Sequence, residues 1–149
     1  MRKRATREPE MGQTAVEFAL TVPVIILVIF GIFDFGRAVW YYNTLSEAAR
    51  EGTRYAMVHG ATSSSPVGPG ASSYTAPNRD TIVEGVVERY AFGMDVSQVT
   101  VLSTWPDGGN KSGQRVNVEV QYTYAPLTGV ILGGISIPLR SVAVASIVY

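Results

Sequence analysis

Hydrophobic residues form one long run near the start of the chain, followed by shorter periodic patterns. Residues 13–33 contain a single charged residue, Glu17, and residues 18–33 contain none. At about 1.5 Å per residue, a helix of this length spans roughly 31 Å, the thickness of the hydrocarbon core of a membrane. The run therefore predicts a transmembrane helix at residues 13–33. Pro23 is compatible with it, because a membrane helix can satisfy the freed carbonyl locally.

The helical pattern continues beyond the apolar run. Glu47 with Arg50 and Glu51 with Arg54 place opposite charges three residues apart, which suits a solvated helix face. Gly60 is a suitable stop, so residues 34–59 are predicted as the external continuation of the helix. Small and apolar residues recur at spacings of three and four and mark the face that we expect to be buried: Ala38, Tyr42, Leu45, Ala49, Gly52 and Ala56.

The next part of the chain combines a linker and a short helix. Residues 60–79 are dominated by Gly, Pro, Ser and Thr, and this composition predicts a flexible loop. An apolar stripe beginning near Asp80 or Thr81 predicts a second helix, with Thr81 and Glu84 in the spacing of a capping box.

The C-terminal part has the alternation of strands. Residues 115–124 alternate valine or tyrosine with polar residues, and residues 96–105 and 139–149 are also rich in strand-forming types. Residues 127–138 are apolar but interrupted by glycines, so they are either a short helix or a loop packed near the membrane. The pattern as a whole predicts an α+β fold. A long N-terminal helix packs on a small antiparallel sheet with one short extra helix, and residues 80–149 form an external α+β domain.

Charge fixes the expected orientation. The net charge is +0, but four basic and two acidic residues precede Gln13. Basic residues stay on the cytoplasmic side, which places residues 1–12 in the cytoplasm as a leader and the residues after 33 outside. The inner membrane of a bacterium fits this single-pass arrangement. The balanced net charge gives no indication of a nucleic-acid partner.

The residues for catalysis or metal binding are few. The chain has no cysteine and one histidine, His59. No nucleophile–base set, ligand cluster or phosphate-binding glycine loop can be read from the sequence. We therefore expect no enzyme activity, no catalytic residue, no metal, no cofactor and no small-molecule substrate. A membrane-tethered hydrolase is disfavoured for the same reason.

An acid inside an apolar helix needs an explanation, because it is unfavourable by about 2.5–3.5 kcal/mol at the membrane centre and less toward an end. Here a basic leader, Gly12, four residues and then Glu17 precede the apolar run. This order resembles the prepilin peptidase processing motif of type IV pilin-like proteins. The resemblance implies a cut between Gly12 and Gln13. Glu17 would then pair with the N-terminal amine of a neighbouring subunit, which neutralises both charges.

A longer resemblance narrows the class. Residues 12–56 carry the start G-Q-x-x-x-E-F, then the apolar run, then "DFGRA" and "AAREGTRYA". These separated elements are similar to those of the TadE-like family of the tight-adherence (Tad) pilus. The resemblance implies a pseudopilin or minor pilin acting in pilus biogenesis and adhesion. Its implied partners are other pilin-like subunits, the Tad assembly machinery, a prepilin peptidase and membrane lipid, and incorporation into an extracellular pilus is a further implication.

Two simpler interpretations stay open at this point. The apolar run could be a cleaved secretory signal peptide, although no convincing small-x-small cleavage site follows it. Alternatively, the chain is a single-pass, membrane-anchored exported binding domain that is not processed. In that case Gly12 is incidental, and Glu17 extends to the cytoplasmic interface.

Overall fold

A computed structural model of the chain describes residues 10–69, 72–75, 82–131 and 133–149. The predicted leader therefore lies largely outside the described residues, as does the capping Thr81. The elements are, in chain order, α1 (Glu10–Val58), β1 (Ser72–Thr75), α2 (Ile82–Tyr90), a 3-10 turn (Val96–Gln98), β2 (Val99–Thr104), β3 (Arg115–Tyr124), α3 (Leu127–Ile131) and β4 (Ile137–Ser146).

The first helix is a single continuous element of 49 residues with Pro23 inside it. Its N-terminal half projects from the rest of the structure, and its C-terminal half, from Asp34 onward, packs on the sheet. The predicted ion pairs are present, with Arg50 3.6 Å from Glu47 and Arg54 3.8 Å from Glu51. The expectation of a long helix followed by an antiparallel sheet is confirmed.

The sheet has four antiparallel strands in the order β1-β2-β3-β4, so each strand pairs with its neighbour in the chain. In the central pairs, Val101 lies opposite Val120, and Val118 lies opposite Ala143. The strict alternation of β3 gives one buried face and one polar face, as its sequence predicts.

The core lies between α1 and the inner face of the sheet. From α1 come Leu45, Ala48, Ala49 and Ala56, all almost fully buried. The predicted helix face needs one correction, because Tyr42 is 50% exposed and Tyr41 is the buried residue, at 8% exposure. The ring of Tyr41 packs edge-on against two tyrosines of β3, with ring centroids 5.4 and 5.5 Å away, and this turns the buried face by one residue.

The structure differs from the predicted boundaries at three places. Ser72–Thr75 form β1 within the segment predicted as a loop, since pairing with β2 satisfies a backbone whose composition gives no strand signal. Residues 96–98 form a 3-10 turn before β2, capped by the Asp95 carboxylate, which accepts the Ser97 amide. Residues 127–131 form a short helix, one of the two alternatives left open for residues 127–138, and β4 begins at Ile137 rather than at residue 139.

The end of α1 is held by the C-terminus of the chain. Gly60 is buried, and a Cβ placed on it would lie 1.8 Å from the Tyr149 carbonyl oxygen and 2.8 Å from that of Asn110. The Val148 amide donates to the Met57 carbonyl at 3.0 Å nearby. Because backbone atoms form this contact, it leaves no room for a side chain.

We predict that Gly60→Ala destabilises the packing of α1 on the sheet by about 2 kcal/mol or more, because backbone must move to admit the methyl group. Gly85→Ala is the control, since nothing lies within 4 Å of its added Cβ. Alanine in the middle of a helix is expected to be neutral or to stabilise by about 0.5–1 kcal/mol. Urea unfolding of the full chain in detergent gives both values. Equal stability of the two variants would contradict the packing described at Gly60.

Candidate processing and assembly site

The residues predicted for processing lie in the first turns of α1. Gly12, Gln13 and Glu17 are all helical and exposed, and nothing lies within 4 Å of a Cβ placed on Gly12. Gly12 is the third residue of the helix. The first turn of a helix lacks internal partners for its amides, and glycine weakens it further. The Gly12–Gln13 bond can therefore become extended at little cost.

Glu17 has only local partners among the described residues. Its Oε1 accepts a hydrogen bond of 3.1 Å from the Gln13 side-chain amide, one helical turn earlier. Its backbone carbonyl accepts the Thr21 hydroxyl at 2.7 Å. The structure thus brings Gln13 and Glu17 together, and the carboxylate remains on the surface of the helix.

The helix that carries these residues has an apolar, exposed surface. From residue 12 to residue 33 every side chain is exposed except Val22, which is half-buried. The helix Gly12–Val58 is the one that has the length and apolar composition to cross a membrane among the described residues. Exposed apolar surface on this scale is unfavourable in water, so it fits a lipid-facing segment.

The opposite end of the apolar run is tied to the sheet by Asp34, which is 5% exposed. One oxygen, Oδ1, accepts the Leu127 amide at 2.8 Å and the Tyr124 hydroxyl at 3.1 Å. The other, Oδ2, accepts both the amide and the hydroxyl of Thr128 at 2.7 Å. The carboxylate therefore receives four hydrogen bonds from residues at the end of β3 and the start of α3.

These hydrogen bonds set the charge state of Asp34. Burial alone would raise its pKa, but the donors from Thr128, Leu127 and Tyr124 outweigh burial and lower the pKa from 3.8 to about 2. A pKa that is lower in the folded than in the unfolded chain stabilises the fold above the unfolded value. That stabilisation, of about 2 kcal/mol, is lost as the pH falls from about 4 through about 2.

Comparison with known families identifies the segment that contains both the Gly12–Glu17 site and Asp34. Residues 12–54 match the model of TadE-like protein. The first helix is TadE-like. No curated protein and no solved structure matches the chain. The match confirms, for this segment, the resemblance seen in the sequence. It begins at Gly12 and ends within α1, so the sheet lies outside it.

The TadE-like segment includes "DFGRA", whose role sequence reasoning missed. Asp34 is the only acid between Glu17 and Glu47, and it ends the apolar run. Its position in the sequence could have indicated a structural role, since a lone acid at the end of a membrane-spanning segment needs a partner. Its partners are more than 90 residues away in the chain, so the sequence did not name them.

Arg37 adds a second contact on the same turn of the TadE-like helix. Its guanidinium lies 3.9 Å from the Asp34 carboxylate, and its carbon is 5.6 Å from the centre of the Tyr124 ring. The hydrogen bond that Arg37 donates to the Tyr41 hydroxyl raises its already high pKa. Burial, and then the hydrogen bond to Asp34, raise the pKa of Tyr124. The tyrosine therefore stays a neutral donor at physiological pH.

The remaining candidate groups of the sequence have structural partners. The His59 ring stacks on Tyr55 with centroids 3.9 Å apart, and its Nδ1 is 2.8 Å from the Tyr55 carbonyl. Among the described residues no group of three or more His, Cys, Asp or Glu side chains could hold a metal ion.

We predict that Asp34→Asn lowers the free energy of unfolding by about 2–3 kcal/mol, because an amide NH₂ group then faces backbone donors. Glu47→Gln, a change at an exposed ion pair on the same helix, is the control and should cost under about 0.5 kcal/mol. The difference between wild type and Asp34→Asn should shrink as the pH falls from about 4 to about 2. Urea titrations across that range measure it. A difference that does not vary with pH would show that the Asp34 charge does not stabilise the fold.

Proposed function

We propose that this chain is a pilin-like subunit of a Tad-type pilus, made as an inner-membrane precursor and cleaved after Gly12 by a prepilin peptidase. The leader holds the N-terminus in the cytoplasm, residues 13–33 cross the membrane, and the sheet lies outside. After cleavage, Gln13 becomes the N-terminal residue. The subunit then acts in pilus biogenesis and adhesion together with other pilin-like subunits and the Tad assembly machinery.

The observation that carries this proposal is the exposed apolar half of α1 with one exposed carboxylate near its start. An anchor explains the apolar surface. It does not explain why Glu17 stands five residues after a glycine at which the family match begins. A subunit whose helix packs against other helices explains both, because an amine from a second subunit can neutralise the acid.

The local geometry supports both steps. No other part of the described chain lies within 4 Å of a Cβ placed on Gly12, so the site is open once the first turn of α1 unwinds. Glu17 is hydrogen-bonded through its side chain to Gln13, the residue that cleavage turns into the new N-terminus. In this chain the Glu17 carboxylate accepts a hydrogen bond from the neutral side-chain amide of Gln13. A charged ammonium from another subunit can replace that amide, because a charge-assisted hydrogen bond is stronger.

We predict that mass spectrometry of the protein from membranes of a piliated host finds a mature chain that begins at Gln13. Gly12→Ala should retain residues 1–12, because a side chain then enters the position that the peptidase cleft accepts as glycine. Gly31→Ala, a change on the same helix with nothing within 4 Å of the added Cβ, is the matched control and should be processed normally. An intact leader in the wild-type chain would favour the unprocessed, membrane-anchored binding domain.

We predict a separate effect for Glu17. Glu17→Gln should be cleaved as in wild type, yet be incorporated several-fold less into the assembled pilus fraction, because the ammonium of the neighbour then lacks its counter-charge. Glu17→Asp keeps the charge and should recover part of the incorporation. Glu51→Gln, which neutralises an acid outside the apolar segment, should have no effect. Normal incorporation of Glu17→Gln would remove the assembly role of this acid.

A further inference from the structure

The connection between β3 and β4 is apolar and exposed. From residue 126 to residue 139 the chain carries no charged side chain. Within it, Ile131 is 64% exposed, and Leu127, Ile135 and Ile137 are between 42% and 51% exposed. We name residues 127–131 and 133–137 the collar. A group of large exposed aliphatic side chains in a short uncharged segment marks a surface that another apolar phase covers.

The collar is a folded element, held both internally and to α1. The Gly134 amide donates to the Gly129 carbonyl at 2.6 Å, which folds the collar back on itself. Its first two residues, Leu127 and Thr128, donate to the Asp34 carboxylate on α1. Its position along α1 is therefore fixed by the same interaction that joins the helix to the sheet.

The collar lies beside the point on α1 where the apolar run ends. Asp34 directly follows residue 33, and an apolar groove of about 280 Å³ between α1 and the collar is lined by Gly31, Ile135 and Ile137 among others. Gly31 belongs to the predicted span and lies two residues, or about 3 Å, inside its end. The collar thus overlaps the last turn of the span in height.

We propose that the collar is a second membrane contact, which lies in the headgroup and upper acyl region of the outer leaflet beside the point where α1 emerges. This inference rests on the proposed function in one respect, that residues 13–33 cross the bilayer. The partner is a lipid surface. The exposed side chains of the collar continue the exposed surface of the span, where Ile32 is 68% and Phe33 is 63% exposed.

Lipid fits the collar for two physical reasons. An interfacial segment buries its apolar side chains about 5–10 Å into the headgroup and acyl boundary, which suits an element level with the last turn of the span. The collar also has no charged side chain, whereas the rim of a protein–protein interface is polar. A second membrane contact would fix the orientation of the sheet. Two contacts determine its tilt relative to the membrane, whereas a single helix allows the tilt to vary.

The chain contains no cysteine, so single cysteines can be introduced for spin labels without a background. Ile131→Cys and Ile135→Cys report on the collar at exposed positions, where labelling does not disturb the core. Leu27→Cys reports on the span. Val144→Cys is the matched control, an exposed valine of β4 next to Ala143, whose carbonyl is 3.3 Å from the Thr53 hydroxyl. Thr53 lies roughly 28 Å along α1 beyond Asp34, well above the membrane.

Each labelled full chain is reconstituted at a high lipid-to-protein ratio into phosphatidylethanolamine and phosphatidylglycerol vesicles. Collision of the label with lipid-soluble oxygen is compared with collision with a water-soluble nickel chelate. We expect the oxygen-to-nickel ratio at Ile131 and Ile135 to be several-fold above that at Val144 and below that at Leu27. Near-ultraviolet circular dichroism equal to that of the wild type shows that each variant is folded.

The other outcomes overturn the proposal in distinguishable ways. A ratio at Ile131 and Ile135 equal to that at Val144, with Leu27 in lipid, removes the collar contact and leaves the span and the proposed function standing. Labels shielded from both reagents show that protein, such as a second copy of the chain, covers the collar. An oxygen-to-nickel ratio at Leu27 typical of a label in water would show that residues 13–33 do not cross the membrane. That result would contradict both the collar contact and the proposed function.

Discussion

The buried carboxylate of Asp34 is the interaction on which the rest of the arrangement depends. It stands where the apolar half of α1 ends, and it accepts hydrogen bonds from two backbone amides and two hydroxyls at the other end of the chain. A buried charge without partners would cost several kcal/mol, so the site tolerates this acid only with its donors in place. The sheet and the start of α3 are thereby fixed to one turn of the helix.

Asp34 marks the boundary between the apolar half of α1 and the half that packs on the sheet. Above Asp34, the edge-on contacts of Tyr41 with Tyr122 and Tyr124 and the small residues Ala48 and Ala49 allow the helix to lie close to the sheet. Below it, α1 continues without a break and with its apolar surface exposed. A rigid rod with a domain fixed at one level is what a subunit needs if its helix is to pack in register with others.

Much of the fold could be predicted from the sequence, because its signals are local. The apolar run and the spacing of three and four gave α1, and alternation gave β3. The short strand β1 carries no such signal, since Ser72–Thr75 become a strand only by pairing with β2. Tyr42 was predicted to be buried in place of Tyr41, because adjacent tyrosines fit the helical period about equally well and only the sheet distinguishes them.

In the candidate site, too, the local features could be predicted from the sequence and the long-range contacts could not. Gly12, Gln13 and Glu17 lie within six residues, so their order in the chain could be read directly, and the segment that matches TadE-like protein begins at the same glycine. The role of Asp34 could not be predicted, because its donors are brought to it by the fold over more than 90 residues of sequence. The same holds for the collar, whose apolar character was visible in the sequence but whose level beside the span was not.

The most direct test of this account is a double-mutant cycle between Asp34 and Thr128 in the full chain. The variants are Asp34→Asn, Thr128→Val and the pair, with free energies of unfolding measured in detergent at neutral pH. We expect a coupling energy of about 1–3 kcal/mol, since the Thr128 hydroxyl donates directly to the carboxylate. Changes that add within about 0.5 kcal/mol would contradict the claim that this carboxylate joins the end of the apolar half of α1 to the sheet.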